Sequence, residues 1–198
     1  MEKRLILSVG REFGSGGHVI AEALARRFEL DLYDNNLLEH IAEEKSVGGD
    51  TLKKYDERPK IRLFSRTVRG YSNSIQENIA NMQFDYLKKM AEEGKSFVVV
   101  GRCSEIMLKE YEGFISIFVL GDREVKRERI MRLYRLSAEE AEHTMSRRDW
   151  ERKSYHNYYC KEKWGDSRNY DLSVNSSKLG IDRTVDLLET YVRARMEG

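Results

Sequence analysis

Proline is almost missing from this sequence of 198 residues. It occurs once, as Pro59, so a proline-rich linker is excluded. Cysteine occurs twice, as Cys103 and Cys160, and neither sits in a Cys-x-x-Cys pair. A disulfide framework and a structural zinc site are therefore not expected, and no other metal set stands out. Charge of one sign is missing too: 35 Lys and Arg stand against 34 Asp and Glu. A general nucleic-acid binder shows a basic excess, so no nucleic-acid partner is expected, although a local basic cleft stays compatible. The longest apolar run, Phe97–Gly101, is far too short to cross a bilayer. The N-terminus lacks the charged, apolar and small-residue succession of a signal peptide. These absences lead us to expect a cytoplasmic chain with reduced thiols and no membrane partner. No internal repeat or low-complexity tract is visible.

What is present suits one compact domain over 1–198. Hydrophobic residues make up 40%, enough for a core, and charged residues 35%, enough to solvate a surface. Leu5–Gly10, Leu30–Asp34, Phe97–Gly101, Phe114–Leu120 and Tyr170–Val174 read as short buried strands. Between them lie helical patterns. One starts at Ile20, a second at Leu37, a long one runs from Ile75 to Met90 with Gly94 as its stop, and a short one lies around Ser104–Glu110. A basic helix follows over Glu124–Arg135, and a last one is striped by Ile181, Val185, Leu188 and Val192. Residues 46–74 carry no pattern and read as loop and short helix. Residues 136–165 are polar, basic and aromatic. Alternating strands and helices predict a parallel sheet covered on both faces, with its ligand crevice beyond the C-terminal strand ends.

The segment Arg11-Glu12-Phe13-Gly14-Ser15-Gly16-Gly17-His18 follows the first strand and opens the first helix. Glycines let backbone N–H groups turn inward as an anion nest, and the helix N-terminus adds donors and partial positive charge. Arg11, Gly14, Ser15, Gly16, Gly17, His18 and Val19 are the expected contacts to a polyphosphate, and a side chain at Gly16 is expected to block phosphate approach. Against G-x-x-x-x-G-K-[ST], Arg11 stands at the first glycine, Gly17 at the lysine and His18 at the hydroxyl. The lysine ordinarily neutralises the β- and γ-phosphates and the hydroxyl holds Mg²⁺. Arg11, His18 or arginines of a lid are the candidate substitutes. A tight glycine turn that binds nothing is the alternative.

The loop, the Tyr33-Asp34 pair, Val98–Cys103 and the stretch Lys163–Gly180, taken in this order, resemble the cytidylate kinase-like family over almost the whole chain. The resemblance implies a P-loop NTPase fold: three α/β/α layers around a five-stranded parallel sheet. It also implies an acceptor-binding helical insertion, placed at 46–93, and a lid, placed at 136–165. It further implies ATP with Mg²⁺ as donor and a nucleoside monophosphate as acceptor. In cytidylate kinases a Gly-Arg-Asp tripeptide follows the third core strand. Gly101 and Arg102 match it, and Cys103 replaces the aspartate. Of the lid pattern R-D-x-x-D-x-x-R, Arg148 and Asp149 match, while Arg152 and Tyr155 stand at the later positions. His40 lies nearest the acceptor-phosphate arginine of those enzymes.

Phosphoryl transfer needs positioning and positive charge more than covalent help. Arg102 is the expected acceptor-side arginine, and Arg148, Arg152 and His18 are the expected cations of transfer. Asp34 is a candidate for the acceptor or for Mg²⁺ through water, with a helix cap as its alternative. Tyr155, Tyr158, Tyr159 and Trp164 are candidates for base stacking or for packing. Lys126, Arg127, Arg129 and Arg132 read mostly as a solvated helix face. Three functions stay open: a nucleotide kinase acting on a CMP-like acceptor, a kinase of another small acceptor, and a nucleotide sensor that has lost transfer. A homodimer is compatible with all three.

Overall fold

Each apolar run forms a strand close to its expected bounds. The computed structural model describes residues 4–34, 36–45, 67–68, 71–72 and 75–197. The five long-range strands are β1 (Ile6–Arg11), β2 (Asp31–Tyr33), β5 (Phe97–Val100), β6 (Phe114–Leu120) and β7 (Leu172–Asn175). They form one sheet in the order β2-β5-β1-β6-β7, and every pairing is parallel. The ladder between β1 and β6 continues to Arg11↔Val119. Arg11 is thus the last residue of the strand, one step further in than the sequence suggests. A separate antiparallel pair joins β3 (Thr67–Val68) to β4 (Tyr71–Ser72). Most of the patternless segment 46–74 lies outside the described residues.

The helices are α1 (Gly17–Arg27), α2 (Leu37–Lys45), α3 (Ile75–Glu92), α4 (Ser104–Met107), α5 (Arg123–Tyr134), α6 (Ala138–Tyr159) and α7 (Ser176–Glu197). Strand alternation sorts the core into two layers. Leu5, Leu7 and Val9 pack with Ile20 and Leu24 of α1 and with Val185, Leu188 and Val192 of α7. Ile6, Phe97 and Val99 pack on the other face with Leu37, Leu38 and Ile41 of α2 and with Leu87 and Met90 of α3. This is the expected three-layer arrangement, with β1 at the centre and the crevice at its C-terminal end. Helix α3 stops where Gly94 takes φ 77 and returns its N–H to Ala91 O, as a glycine C-cap should.

Residues 136–165 hold an element that periodicity does not reveal. Helix α6 runs for 22 residues, yet only Ala141, Met145, Tyr155 and His156 are buried along it. Its start is marked by a capping box instead: Ser137 Oγ accepts from Glu140 N–H, and the Glu140 carboxylate accepts from Ser137 N–H. The helix is docked at both ends. Met145 and Ala141 pack on Ile130 of α5 and on Phe13 of the loop after β1. Tyr155 and Cys160 pack on Ala80, Phe84 and Cys103. No described helix is long and apolar enough to cross a membrane.

Asp171 ties the edge of the sheet to α7. Its carboxylate accepts from Ser116 N–H at 2.8 Å, from Ser116 Oγ at 2.9 Å and from Arg195 Nη1 at 2.9 Å. Burial pushes its pKa up, but the Ser116 and Arg195 donors outweigh burial and hold it below the ordinary value. The associated stability is present above the ordinary aspartate value of 3.8 and is lost as pH falls below it. Asp171→Asn is expected to cost about 1–2 kcal/mol at neutral pH. Urea titrations at neutral pH and near pH 3 check this, because the gap to wild type should shrink in acid.

Candidate functional site

Arg11 ends β1, and six residues later Gly17 begins α1. Gly14 and Gly16 both sit in the left-handed region, at φ 84 and φ 83, which L side chains rarely adopt. The loop between is held from outside through its carbonyls. Ser15 N–H and Oγ both donate to Glu12 O, Arg129 Nη1 donates to Gly14 O at 3.1 Å, and Ser176 Oγ donates to Ser15 O at 2.6 Å. The N-terminal amides of α1 supply the donors and partial charge that an anion needs.

Gly17 has a steric reason to be glycine. A Cβ there would lie 2.5 Å from Arg11 Cβ and 3.2 Å from Arg11 Cγ. Arg11 thus fills the space that a side chain at 17 would enter, so a cation comes from the strand end where a lysine would come from the helix. Gly16 has a further reason to be glycine: its φ of 83 strains any side chain, and a Cβ there would lie 2.2 Å from Ile181 Cδ1 and 2.4 Å from Arg129 Nη1, two side-chain ends that would have to move.

Beside the loop lies a cleft of about 350 Å³, open mouth included, lined by Gly10, Arg11, Gly101, Arg102, Cys103, Glu105, Arg152, Tyr155, His156, Trp164 and Tyr170. Three arginines from three elements meet here. The Arg102 side chain is turned into place by a run of left-handed residues: Gly101 at φ 75, Arg102 at φ 61 and Cys103 at φ 54. Two non-glycine residues in that region store strain of order 1–3 kcal/mol each, a cost found where a side chain must be aimed. Arg102 is 2% exposed and donates from Nη2 to Asp34 O at 3.1 Å. Arg152 donates to Arg11 O at 3.3 Å and lies over the Phe13 ring.

The cleft also holds a buried acid–base pair. His156 Nε2 is 2.6 Å from Glu105 Oε1, with the two side chains 4% and 3% exposed. Tyr170 OH donates to the same carboxylate oxygen at 3.2 Å. Burial opposes the imidazolium, but the hydrogen bond and charge of Glu105 outweigh it, so the His156 pKa is raised. Burial is also the main cause that pushes the Tyr170 phenol up, which keeps it protonated as a donor.

The structure brings several sequence candidates together. His18 Nδ1 lies 3.3 Å from the Asp34 carboxylate, whose backbone carbonyl holds Arg102. His18 is also half-exposed and 3.5 Å from Glu22. Asp34 caps as well: its Oδ1 accepts from Asn36 N–H while Asn36 Oδ1 accepts from Asp34 N–H. Val19 is exposed in the first turn of α1. Arg148 does not join the cleft: it is exposed and pairs with Glu151 at 3.3 Å, and Arg147 pairs with the same carboxylate at 3.7 Å. His40 packs edge-on against Tyr33 and is not among the cleft-lining residues. Of the aromatics, Tyr155 and Trp164 line the cleft, while Tyr158 meets Tyr159 edge-on and Tyr159 meets Phe84 edge-on.

Four contributors were not legible. Glu105, His156 and Tyr170 gave no motif, and Lys126 hid in a helix charged all round. Lys126 is buried, with Nζ 2.8 Å from Glu12 Oε2. The one usable signal was its spacing of four from Ile130, the other buried residue of α5.

The cytidylate kinase-like family model matches residues 6–178. No curated protein matches the sequence. Among solved structures, an uncharacterized protein from Eubacterium ventriosum is 34% identical, with 96% of this chain and 99% of that chain covered and a TM-score of 0.77. A shikimate kinase from Bacteroides thetaiotaomicron is 12% identical, with 96% and 98% covered and a TM-score of 0.56. A shikimate kinase from Acinetobacter baumannii, in complex with shikimate, is 9% identical, with 98% and 96% covered and a TM-score of 0.53. At such identities the last two share the fold alone.

His156→Leu would leave Glu105 buried and uncompensated, so it is expected to cost about 3–5 kcal/mol. Chemical denaturation checks the size. The sign of the pH dependence checks the cause: the contribution is present below the ordinary histidine pKa and is lost as pH rises through the raised one.

Proposed function

The chain belongs to the cytidylate kinase-like family, and from that premise we propose a nucleotide-binding phosphotransferase that moves the γ-phosphate of ATP to a CMP-like nucleoside monophosphate. One observation carries this reading. The glycine loop at the head of α1 opens beside a cleft into which Arg11, Arg102 and Arg152 all project. A loose, highly anionic transition state is stabilised by fixed cations in a water-poor site, and planar guanidinium groups suit phosphate oxygens.

The roles follow from position. The amides of Gly14, Gly16, His18 and Val19 hold the donor phosphates, with Arg11 in place of the loop lysine. Arg102, anchored on the Asp34 carbonyl, holds the acceptor's anionic group. Arg152 spans the two from the lid helix. Asp34 faces the acceptor or the magnesium water shell, and His18 keeps its carboxylate in place. Among the described residues no group of three or more His, Cys, Asp or Glu is arranged to hold a metal ion. In this reading Mg²⁺ therefore arrives on the ATP phosphates, where it neutralises charge. Tyr155 and Trp164 offer aromatic walls to a base or ring.

A second acceptor class is favoured by one residue. Cys103 is 3% exposed and stands where cytidylate kinases carry the aspartate of their Gly-Arg-Asp tripeptide, so that carboxylate is missing beside Arg102. A small hydroxylated anion fits the same arginines, and one structural neighbour binds shikimate.

The experiment is ADP release by purified protein with ATP and Mg²⁺, across nucleoside monophosphates and then small hydroxy acids. Turnover with CMP or dCMP supports the first reading, and turnover with a hydroxy acid only supports the second. ATP binding without any acceptor-dependent turnover would point to a sensor and contradict both. Arg102→Met is expected to lower kcat/KM for the acceptor about 100-fold while ATP affinity stays near wild type. An unchanged acceptor kcat/KM would remove Arg102 from the site.

A further inference from the structure

The lid helix meets the phosphate loop through charge as well as packing. Asp149, on the face of α6 that also carries Arg152 one turn later, places Oδ1 2.6 Å from Phe13 N–H. Its other oxygen lies 3.7 Å from Lys126 Nζ. That ammonium is 2.8 Å from Glu12 Oε2, which also accepts from Gly121 N–H at 3.1 Å. The Lys126 side chain is 10% exposed, and Gly14 packs directly on its Cβ. A loop amide and an ammonium therefore converge on one carboxylate. That donor pair, an N–H of the glycine loop with a lysine ammonium, is the pair that ordinarily grips a terminal phosphate.

We propose that Lys126 is a ligand of the donor's terminal phosphate, and that Asp149 occupies the phosphate's place on Lys126 and Phe13 N–H until lid opening releases them. This rests on the reading of the loop as a donor-phosphate site and adds to it a cation from α5 and a latch on the lid. The chemistry favours exchange. Asp149 is mostly buried, and burial outweighs its hydrogen bond and cationic neighbours in shifting its pKa upward, so its charge is poorly compensated where it sits. A phosphate brings more negative charge to the same donors and accepts more hydrogen bonds. Glu12 stays behind as the partner that keeps Lys126 aimed at the loop.

The test is calorimetric titration of the full chain with ATP and Mg²⁺ and, separately, with inorganic tripolyphosphate, alongside a thermal melt of each variant. Asp149→Ala removes the competing carboxylate and is expected to tighten both probes about five- to tenfold. Lys126→Met is expected to weaken both about tenfold or more. Because Lys126→Met strands two carboxylates, the charge-balanced pair Glu12→Gln with Lys126→Met is measured as well, against Glu12→Gln alone. The balanced pair should melt near wild type and still bind weakly. Wild-type affinity in that pair would show that Lys126 only neutralises Glu12 and would overturn the proposal. Unchanged affinity in Asp149→Ala would overturn the latch. If wild type binds neither probe, the donor-site reading itself fails, an outcome distinct from the other two.

Discussion

The site is organised around a mutual exclusion between two side chains. Arg11 and a side chain at position 17 cannot both be present, because the stem of Arg11 lies where the Cβ of residue 17 would be. The usual loop spends position 17 on a lysine. This chain leaves it as glycine and brings a guanidinium from the end of β1. Around this pair, β1 continues to Arg11, whose side chain lines the cleft, and the loop carbonyls are held by Arg129 and Ser176. Helix α6 lies against the same strand end, with Arg152 on the carbonyl of Arg11.

Helix α6 is held by a polar stripe. Asp149, Arg152 and His156 fall on one face of α6 and engage the loop amide, the β1 carbonyl and the buried Glu105 in turn. Each contact uses a charged group with little access to water, where hydrogen-bonded charges matter most and unpaired ones cost most. A helix without a continuous apolar face needs such anchors to dock.

Much of this was legible in the sequence. Continuous apolar runs located the central strands β1, β5 and β6 to within one residue, because both of their faces are covered. The edge strands β2 and β7 alternate polar with apolar residues and were located to within two. Gly94 marked the end of α3, and the glycines after β1 marked the loop. Helix α6 was illegible because its buried residues are few and widely spaced, and only the Ser137–Glu140 box betrayed it. Arg102 was readable from its place after an apolar strand, while the left-handed run that aims it was not. Arg148 and Arg152 looked equivalent in sequence. A spacing of four puts them near one face, and only the docking of α6 separates them, leaving Arg148 exposed beside Glu151 and Arg152 in the cleft. Buried pairs such as Glu105 with His156 join residues 51 apart, beyond the reach of any local pattern.

A strand-end arginine acting in place of the loop lysine on the donor phosphates is tested most directly by the ATP affinity of Arg11→Gly, measured with and without Gly17→Lys in the same chain. A large loss of affinity in Arg11→Gly and recovery in the double variant are expected, because glycine at 11 removes the Cβ that lies 2.5 Å from a Cβ at 17. ATP binding by Arg11→Gly equal to wild type would contradict that role.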